Sequence, residues 1–384
     1  MHVLICSYEF DLGSEGICTG RLVRALLDAG CQITLVTSPT AKTAFAHERL
    51  DYRVVSQTPL RPAKFFFHLA PILGHIPTRF CYVWSRRVAR LRLERPPDLV
   101  YGRAHPFQSV AGAHGLASRC RLPLFTHFSD PMPSPFWEKG HPEYARTLSG
   151  VCRLISDSQA LTLTTREAIS FEEAMVGKLD GKAFVLNHVA PAPTFLPLPQ
   201  RDIGKVFGYF GLFYGNRNAS VLLRGFAQHL RKQPKDRLLF VGTEPSSVLP
   251  EAASLGIETA VRVMGRVDDV RCVMAEVDVL VATDSFSSAP VFLSTKLVEY
   301  LVVNRSVMLI SPEDSPGAKL LSRFPQTTTL VSKEQASDVS EGLARSAACA
   351  TDDSPYKQRF AQMVDFSPKA VAGCLLEKAT AGIR

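Results

Sequence analysis

The chain alternates apolar segments of strand length with amphipathic segments of helix length, and it does so twice along its 384 residues. In the amphipathic segments the apolar residues recur every three or four positions, as they do on one face of a helix. Strands that are apolar throughout and separated by helices are typical of parallel sheets covered on both faces. The sequence therefore predicts an α/β protein with doubly wound parallel sheets.

The predicted strands share an apolar composition and are separated by polar, glycine or proline residues. In the first half they are His2–Tyr8, Gln32–Thr37, Leu99–Tyr101, Pro123–Phe128, Arg153–Ile155 and Ala183–Asn187. In the second half they are VFGYFGLF, RLLFVGT, VRVMG, VDVLVAT and SVMLIS. Helices are predicted between them, one of them over Asn218–Leu230, and a further helix over Pro355–Lys378.

The proline-rich segment VAPAPTFLPLPQRD, residues 189–202, separates the two halves. Proline stiffens the chain and is poorly tolerated in a helix or a central strand, so this segment is predicted to link two domains. We expect Rossmann-like domains at 1–195 and 196–384, with the last helix able to pack back on the first domain. Ligands of such sheets bind at the carboxyl ends of the strands, so the loops of both domains are expected to face a cleft.

Three glycines follow the first predicted strand, at Gly13, Gly16 and Gly20. Their spacing is G-x-x-G-x-x-x-G, whereas a dinucleotide-binding loop has G-x-G-x-x-G and an acidic residue at the end of the second strand. The second strand here ends in VTSPT, without an acid, so NAD and FAD are not expected. Glycines before a helix expose backbone N–H groups that suit a single phosphate or a substrate hydroxyl. A plain turn is the alternative explanation of Gly13 and Gly16.

The composition limits the classes of function. A formal net charge of +8 favours anionic partners such as nucleotide phosphates or an anionic membrane. No zinc-finger, RNA-binding aromatic or helix-turn-helix pattern occurs, so nucleic acid is not expected as a partner. The nine cysteines form no CxxC pair, which argues against a zinc site or a disulfide framework and favours the cytoplasm. We expect neither a signal peptide nor a membrane-spanning segment.

Residues 61–97 interrupt the alternation and mix aromatic residues with arginines. One interpretation is an insertion packed on the first domain, with an arginine-rich helix facing solvent. The other is a peripheral contact with a membrane or a lipid-linked substrate, in which basic side chains bind anionic head groups and aromatic rings enter the interface.

The stretch SSAPVFLSTKLVEYLVVNRSVMLISPEDSPGAKLL, residues 287–321, is the most informative part of the second half. Ser294 is predicted to cap a helix that carries Lys296 and Glu299 along one edge. A lysine beside a helix N-terminus suits a diphosphate, and a carboxylate one turn later can accept hydrogen bonds from ribose hydroxyls. Ordinary solvated charges on a helix are the alternative interpretation.

This stretch resembles the donor-site motif of glycosyltransferase family 4, a group of retaining enzymes with the GT-B fold, in which the segment reads like SxxKLxEYLAxGxPVL. Further segments are similar to the family in the same order along the chain. They are LVYGRAHPFQSVAGAHGLA, LPLFTHFSDP, RLISDSQALTLTTREA and AFVLNHVAP in the first half, and FGYFGLFYGNRNASVLLRGF in the second. The resemblance covers most of the chain.

The resemblance implies an N-terminal acceptor-binding domain and a C-terminal domain that binds a nucleotide-sugar donor, with UDP or GDP as the leaving group. It implies transfer of a hexose-type sugar to an acceptor hydroxyl with retention, without a metal or other cofactor, in polysaccharide or glycan biosynthesis. The donor-binding residues that it implies are Gly211, Arg217, Gly242, Ser294, Thr295, Lys296 and Glu299.

The sequence departs from the family pattern at two places. The family often carries Glu-x7-Glu, and Glu299 matches the second acid whereas Val291 stands at the first. The family's basic pair for the diphosphate is represented here by Leu212 and Arg217, of which only Arg217 is basic. Arg217 and Lys296 together could still supply two positive charges to a diphosphate.

For acid–base chemistry the first half offers His105 and Asp130, which both follow predicted strands, with Glu15 and His127 as weaker candidates. His105 is predicted to contact a sugar hydroxyl; a structural histidine and a turn aspartate are the alternative roles. Gly13, Glu15 and Gly16 are predicted on the acceptor side. No Asp-x-Asp follows a strand, so no metal site is expected.

Two other classes of protein stay open. A nucleotide-sugar epimerase would share the donor site but needs paired carboxylates around the anomeric carbon. A GT-B protein that binds nucleotide or glycan without catalysis would explain the missing acid at Val291. The acceptor is open between a lipid-linked glycan, a soluble polysaccharide and a protein.

Overall fold

We describe the protein from a computed structural model. The structure describes residues 1–39, 45–57, 83–104, 106–136, 144–179, 181–199, 204–213, 217–267, 269–286, 289–349 and 352–383. They form two compact units, the first made of Met1–Val189 with Asp365–Arg384 and the second of Ala190–Val364. Each unit contains one parallel sheet flanked by helices, which confirms the predicted α/β class.

The sheet of the first unit has the strand order β3-β2-β1-β4-β5-β6-β7. Its strands are β1 (His2–Cys6), β2 (Gln32–Thr37), β3 (Leu50–Val54), β4 (Leu99–Arg103), β5 (Leu124–Phe128), β6 (Ala160–Leu163) and β7 (Ala183–Val185). In the register of the sheet, Val3 of β1 lies between Ile33 and Leu99. Because the winding direction reverses between β1 and β4, the carboxyl ends of these two strands mark the switch point at which such sheets bind ligands.

Helices connect the strands of the first unit. They are α1 (Gly13–Asp28), α2 (Phe107–Cys120), α3 (Tyr144–Asp157) and α4 (Arg166–Val176), and residues 83–88 are helical too. Successive side chains of β1 point to opposite faces of the sheet. Ile5 packs in one apolar cluster with Leu26 of α1, whereas Leu4 packs in another with Trp84 and Leu116. The alternation explains why the strand is apolar at every position.

The sheet of the second unit has the order β10-β9-β8-β11-β12-β13. Its strands are β8 (Val206–Phe210), β9 (Arg237–Val241), β10 (Val261–Met264), β11 (Val279–Thr283), β12 (Ser306–Ile310) and β13 (Thr328–Val331). Its helices are α5 (Ser220–Leu230), α6 (Leu249–Ser254), α7 (Val270–Met274), α8 (Thr295–Tyr300), α9 (Pro316–Leu321), α10 (Ala336–Ala347) and α11 (Ser354–Gln362). The switch point of this sheet lies between β8 and β11.

Residues 190–199 of the proline-rich segment belong to the second unit. Asn304 holds Leu196 at both backbone groups, because its Oδ1 accepts from the Leu196 N–H at 2.7 Å and its amide nitrogen donates to the Leu196 carbonyl at 3.0 Å. The predicted acceptor and donor roles of the two domains, and the boundary at 195, stay predictions.

The chain ends with α12 (Pro368–Ile383), which packs on α1 within the first unit. Val371, Ala372, Leu375 and Ala379 of α12 are buried in the same apolar cluster as Leu26. Among the described residues, no helix has the length and apolar character that crossing a bilayer requires.

One predicted strand was wrong. Residues Arg153–Ile155 lie within α3, because Val151, Leu154 and Ile155 are buried with the spacing of a helix. A three-residue apolar run cannot separate the two conformations by periodicity. Three strands, β3, β6 and β13, were absent from the predicted set, and the predicted helix over Pro355–Lys378 is two helices, α11 and α12.

Candidate functional site

In each unit a group of polar and charged side chains lies at the switch point of the sheet. In the second unit, Gly211 directly follows β8 and Asp284 directly follows β11. In the first unit, Glu15 lies in the first turn of α1, after β1, and Arg103 ends β4. The topology therefore places functional groups where doubly wound sheets bind ligands.

Lys296 of the second unit lies against Tyr209 at the end of β8. Its Nζ donates a hydrogen bond to the Tyr209 hydroxyl at 3.1 Å and lies 4.3 Å from the centre of the Tyr209 ring. The ring in turn stacks on Phe213 at a centroid separation of 4.3 Å. A phenol oxygen and a ring face thus hold an ammonium group that is largely removed from solvent.

Arg217 lies in the same region and is paired with Asp284. Its Nη2 is 2.9 Å from Asp284 Oδ1, and the two side chains are 5% and 10% exposed. The Ser311 hydroxyl donates to the other oxygen, Oδ2, at 3.2 Å and lies 2.7 Å from the hydroxyl of Ser315. Ser315 in turn caps α9 by accepting from the backbone N–H of Ala318. The guanidinium is therefore fixed through the carboxylate to the N-terminus of a neighbouring helix.

The surroundings of Lys296 change its proton affinity. Burial and, second, the positive charge of Arg217 lower the pKa of Lys296 from 10.5 to about 8, while Asp284 and Glu299 oppose the change. A lysine in this state is still mostly protonated at neutral pH. Because the charged form is disfavoured by its surroundings, an incoming anion is bound more strongly than by a solvated lysine.

Two glycines give the second site its backbone shape. Gly211 has φ +118°, and a Cβ atom there would lie 2.8 Å from Lys296 Nζ. Gly242, after β9, has φ +75°, and a Cβ there would meet only the Gly211 backbone, at 3.8 Å. Thr243 fixes the turn, since its hydroxyl donates to the Gly211 carbonyl at 2.6 Å. Leu212, where the family pattern has a basic residue, is 54% exposed.

The predicted start of α8 is confirmed, but its cap is not. Ser294 occupies the N-cap position with extended backbone, and Thr295 is the first helical residue, yet the Ser294 side chain makes no capping hydrogen bond. Lys296 and Glu299 share one edge of this six-residue helix, as the spacing predicted. Val291 is buried, so its side chain adds to the core at the position where the family carries an acid.

The first unit contains a buried ion pair between Arg103 and Glu15. Arg103 Nη2 lies 2.9 Å from Glu15 Oε1, and the side chains are 4% and 8% exposed. Arg103 Nε also donates to Thr19 at 3.0 Å, and Ser129 donates to the second oxygen of Glu15. Both carboxylate oxygens of Glu15 are thus engaged by groups of this unit.

The network continues from Ser129 to His127, which is 2% exposed. His127 Nε2 lies 3.1 Å from Ser129 Oγ, and Nδ1 lies 2.8 Å from Thr162 Oγ1. The two ring nitrogens of His127 thus connect Ser129 with Thr162. Tyr101 completes the chain with its hydroxyl 3.0 Å from Thr162 Oγ1.

The remaining predicted residues of the first unit are placed around this network. Gly13 (φ +70°) begins α1, and Gly16 lies within the helix and not in the preceding loop. A Cβ at Gly16 would lie 3.0 Å from the Phe10 nitrogen, so the glycine allows close packing of the incoming chain. Asp130 follows Ser129 and is partly exposed, and His105 lies outside the described residues.

Several residues of the two sites were not predicted, namely Arg103, Ser129 and Thr162 in the first unit and Tyr209, Thr243, Asp284, Ser311 and Ser315 in the second. The position of Asp284 directly after an apolar strand was the available signal, because carboxyl ends of strands carry ligand-binding residues. Within the described part of the chain, no group of three or more His, Cys, Asp or Glu side chains is placed to hold a metal ion.

Residues 204–345, all within the second unit, match the family model described as glycosyl transferases group 1. A comparison with curated protein sequences gives no significant match. The family match covers the strands, glycines and cations of the second site.

Solved structures of similar fold cover almost the whole chain. HepE of Anabaena, in complex with UDP and glucose, superposes with a TM-score of 0.70 at 14% identity, covering 99% of each chain. OtsA gives 0.67 at 13% identity and 98% of each chain. WaaG, a glycosyltransferase involved in lipopolysaccharide biosynthesis, gives 0.64 at 14% identity, covering 99% of this chain and 98% of WaaG. The chain therefore has the predicted GT-B fold, and it is a glycosyltransferase whose residues 204–345 match the glycosyl transferases group 1 model.

Proposed function

We propose that the protein transfers a sugar from a nucleotide diphosphate sugar to an acceptor hydroxyl. The observation that carries this proposal is the pair of cations, Arg217 and Lys296, beside the glycine turn at Gly211. The leaving group of such a donor is a nucleoside diphosphate, so the main catalytic task is to stabilise negative charge as the glycosidic bond breaks. Two preorganised cations supply that stabilisation, and we propose that the reaction needs no metal ion.

Glu299 of α8 and two glycines are proposed to make the remaining contacts with the donor. Glu299 lies one turn after Lys296, and we assign its carboxylate to the ribose hydroxyls of the nucleotide. Gly211 and Gly242 lower the steric barrier to close approach of the diphosphate and base. The similar structure of HepE holds UDP and glucose, which supports a UDP-sugar of hexose type as the first donor to test.

We assign the acceptor to the first unit, whose switch-point network is rich in hydroxyl and carboxylate groups. The Arg103–Glu15 pair is balanced in charge, and its neighbours Ser129 and His127 are hydrogen-bonding groups. Such a network suits a neutral sugar better than an anion. Retention at the anomeric carbon is proposed from the family resemblance, with His105 and Asp130 as candidate contacts to the reacting sugar, and a role in polysaccharide biosynthesis is supported by the likeness to WaaG.

The donor is tested by measuring thermal stabilisation with UDP, GDP, ADP, CDP and dTDP. A ligand at 100 times its dissociation constant stabilises the folded state by about 2.7 kcal/mol. Removal of a charged hydrogen-bonding group costs about 1.5–3 kcal/mol, so Lys296→Ala should weaken binding about 10- to 150-fold. The matched control is Lys333→Ala, since Lys333 is an exposed lysine of the same unit and its loss should leave binding unchanged.

Catalysis is tested by release of the nucleoside diphosphate from the corresponding sugar donor in the presence of candidate acceptors. NMR of the product gives the anomeric configuration, and the same assay with EDTA tests the metal requirement. Binding without turnover for every acceptor would favour the alternative of a non-catalytic GT-B protein, as the missing acid at Val291 allows. Binding of none of the five nucleotides would contradict the proposal.

We further propose that the protein works in the cytoplasm at the periphery of an anionic membrane. Of residues 61–97, the structure describes 83–97, and residues 58–82 lie outside the described residues. Trp84 and Val88 are buried in the first unit, while Arg90, Arg92 and Arg95 are exposed. Each exposed arginine near an anionic leaflet contributes about 1 kcal/mol of attraction.

Vesicle co-sedimentation tests this location. The wild type should bind vesicles that contain phosphatidylglycerol and not pure phosphatidylcholine vesicles, and added salt should weaken binding. Replacing Arg90, Arg92 and Arg95 together by Gln should reduce binding at least tenfold, since about 1.4 kcal/mol corresponds to that factor. Replacing three exposed basic residues of the second unit, Arg231, Lys232 and Lys235, is the matched control, and an equal loss in both variants would contradict a specific surface.

A further inference from the structure

The second site contains an acid where an anion is expected to bind, and its presence requires an explanation. Asp284 is 10% exposed at its side chain and lies 2.9 Å from the Arg217 guanidinium. Removing an isolated carboxylate from an anion site ordinarily strengthens anion binding, because like charges repel. An acid retained there is therefore expected to have a role that outweighs this repulsion.

The contacts of Asp284 are those of a residue that orders its neighbours. One oxygen accepts from Arg217, and the other accepts from Ser311. The Ser311 hydroxyl lies 3.2 Å from Asp284 Oδ2 and 2.7 Å from the Ser315 hydroxyl, and the Ala318 N–H donates to Ser315. These contacts connect the carboxylate to the N-terminus of α9, and the carboxylate in turn fixes Arg217.

We propose that Asp284 is a positioning residue of the donor site, which holds the Arg217 guanidinium in place and supplies the negative charge that Arg217 and Lys296 share. This inference rests on the proposed function, since it assigns the two cations to a nucleoside diphosphate. Arg217 is 5% exposed, so removing the carboxylate breaks an ion pair of a buried guanidinium, which is strongly unfavourable. The guanidinium would leave its place before a ligand arrives.

The charge on Asp284 also acts on Lys296. The groups that face Lys296 are Tyr209, Arg217, Asp284 and Glu299. Arg217 lowers the pKa of Lys296, whereas Asp284 and Glu299 raise it. Loss of Asp284 therefore leaves the repulsion from Arg217 less opposed, and Lys296 should lose its proton at a lower pH than in the wild type.

The first experiment measures the pH at which Lys296 loses its proton, without any ligand. Acetylation of lysines with limiting reagent, followed by mass spectrometry over a pH series, gives the pH at which each lysine becomes reactive. Wild-type Lys296 should become reactive around pH 8, and in Asp284→Asn this pH should fall measurably. Asp314→Asn is the matched control, since Asp314 is an exposed acid in the loop after β12. An unchanged profile in Asp284→Asn would overturn the shared-charge part of the proposal.

The second experiment measures the dissociation constant of UDP by calorimetry at neutral pH. Charge repulsion alone predicts slightly tighter binding in both Asp284→Asn and Asp314→Asn, whereas a positioning role predicts at least tenfold weaker binding in Asp284→Asn only. Ser311→Ala, which keeps the ion pair and removes one hydrogen bond, should show a smaller loss of a few-fold and serves if Asp284→Asn folds poorly. The proposal would be overturned if Asp284→Asn and Ser311→Ala both bound UDP as tightly as the wild type, or more tightly.

The two experiments separate failure of this inference from failure of the proposed function. If the wild type binds none of the nucleoside diphosphates, the proposed function fails, and the donor-site role of Asp284 fails with it. If the wild type binds UDP and Asp284→Asn binds it equally well, only the positioning role fails.

Discussion

The two sheets of this protein end in similar sites that differ in charge. Each switch point has a buried arginine paired with a carboxylate, Arg103 with Glu15 in the first unit and Arg217 with Asp284 in the second. In the first unit the pair is hydrogen-bonded to Thr19 and Ser129, and Ser129 lies next to His127. In the second unit an additional cation, Lys296, lies close enough for Arg217 to lower its pKa.

We propose that this difference lets one topology serve two kinds of ligand. A balanced ion pair within a hydrogen-bond network suits a polar, uncharged sugar. A paired arginine with a second cation leaves positive charge that a diphosphate can neutralise. In both units the fold places the site at the switch point of the sheet. The additional side chain, Lys296, changes the class of ligand that we assign to the second site.

The largest expected effect concerns the ion pair of the first unit. Arg103→Met leaves Glu15 as a buried charge without its partner, which should lower the free energy of unfolding by about 3–5 kcal/mol. The double variant Arg103→Met with Glu15→Met should recover most of this loss, because no charge is left buried. Chemical denaturation of the wild type and the two variants measures the free energies of unfolding. A cost below about 1 kcal/mol for Arg103→Met would show that Glu15 is less isolated from solvent than described.

A second carboxyl of the first unit gives a pH-dependent effect of intermediate size. Glu172 is fully buried, its Oε2 accepts from the Met132 N–H and its Oε1 has no hydrogen-bond partner among the described residues. Burial raises the pKa of Glu172 from 4.5 to about 8. Between these values the folded state keeps a proton that the unfolded chain has released, so stability falls as pH rises.

The loss approaches 1.4 kcal/mol per pH unit, or about 2–3 kcal/mol from about pH 6 to pH 8. Denaturant titrations at several pH values should show this slope in the wild type and a shallower one in Glu172→Gln, which has no charge to bury. Parallel curves for the two proteins would mean that Glu172 is ionised in the folded state.

A smaller effect is expected at the second site, where nucleotide affinity should depend on pH. Because the pKa of Lys296 is about 8, affinity for UDP should fall up to tenfold per pH unit above that value as the ammonium loses its proton. The terminal phosphate is already ionised there, since its pKa is about 6. In Lys296→Arg the affinity should be nearly independent of pH over this range, and a decline equal to that of the wild type would exclude Lys296 as the titrating group.

The smallest effect compares two glycines of the second site. Gly211→Ala and Gly242→Ala both force alanine into a positive φ, at a cost of about 1 kcal/mol in stability. Only the first places a Cβ against Lys296, so nucleotide affinity should fall further in Gly211→Ala than in Gly242→Ala. Equal affinities would show that Lys296 moves aside without loss.

The fold was largely predictable because its signal is local. Apolar strands such as His2–Tyr8 and the helical spacing within α5 can be identified from neighbouring residues, whereas Arg153–Ile155 carries too short a pattern to distinguish strand from helix. Lys296 and Glu299 were predictable because they share a motif. Asp284 was not predictable, because its role depends on an ion pair with Arg217, which is 67 residues away in sequence. Arg103 was not predictable for the same reason, since its partner Glu15 is 88 residues away.

The first unit is assembled from both ends of the chain, because α12 completes the apolar cluster on α1. During synthesis the whole second unit is made after α1 and before α12. The growing first unit therefore has an uncovered apolar face until residues 365–383 leave the ribosome, and exposed faces of this kind attract chaperones and promote aggregation. The order of synthesis thus delays correct folding of the first unit until the whole second unit has been made.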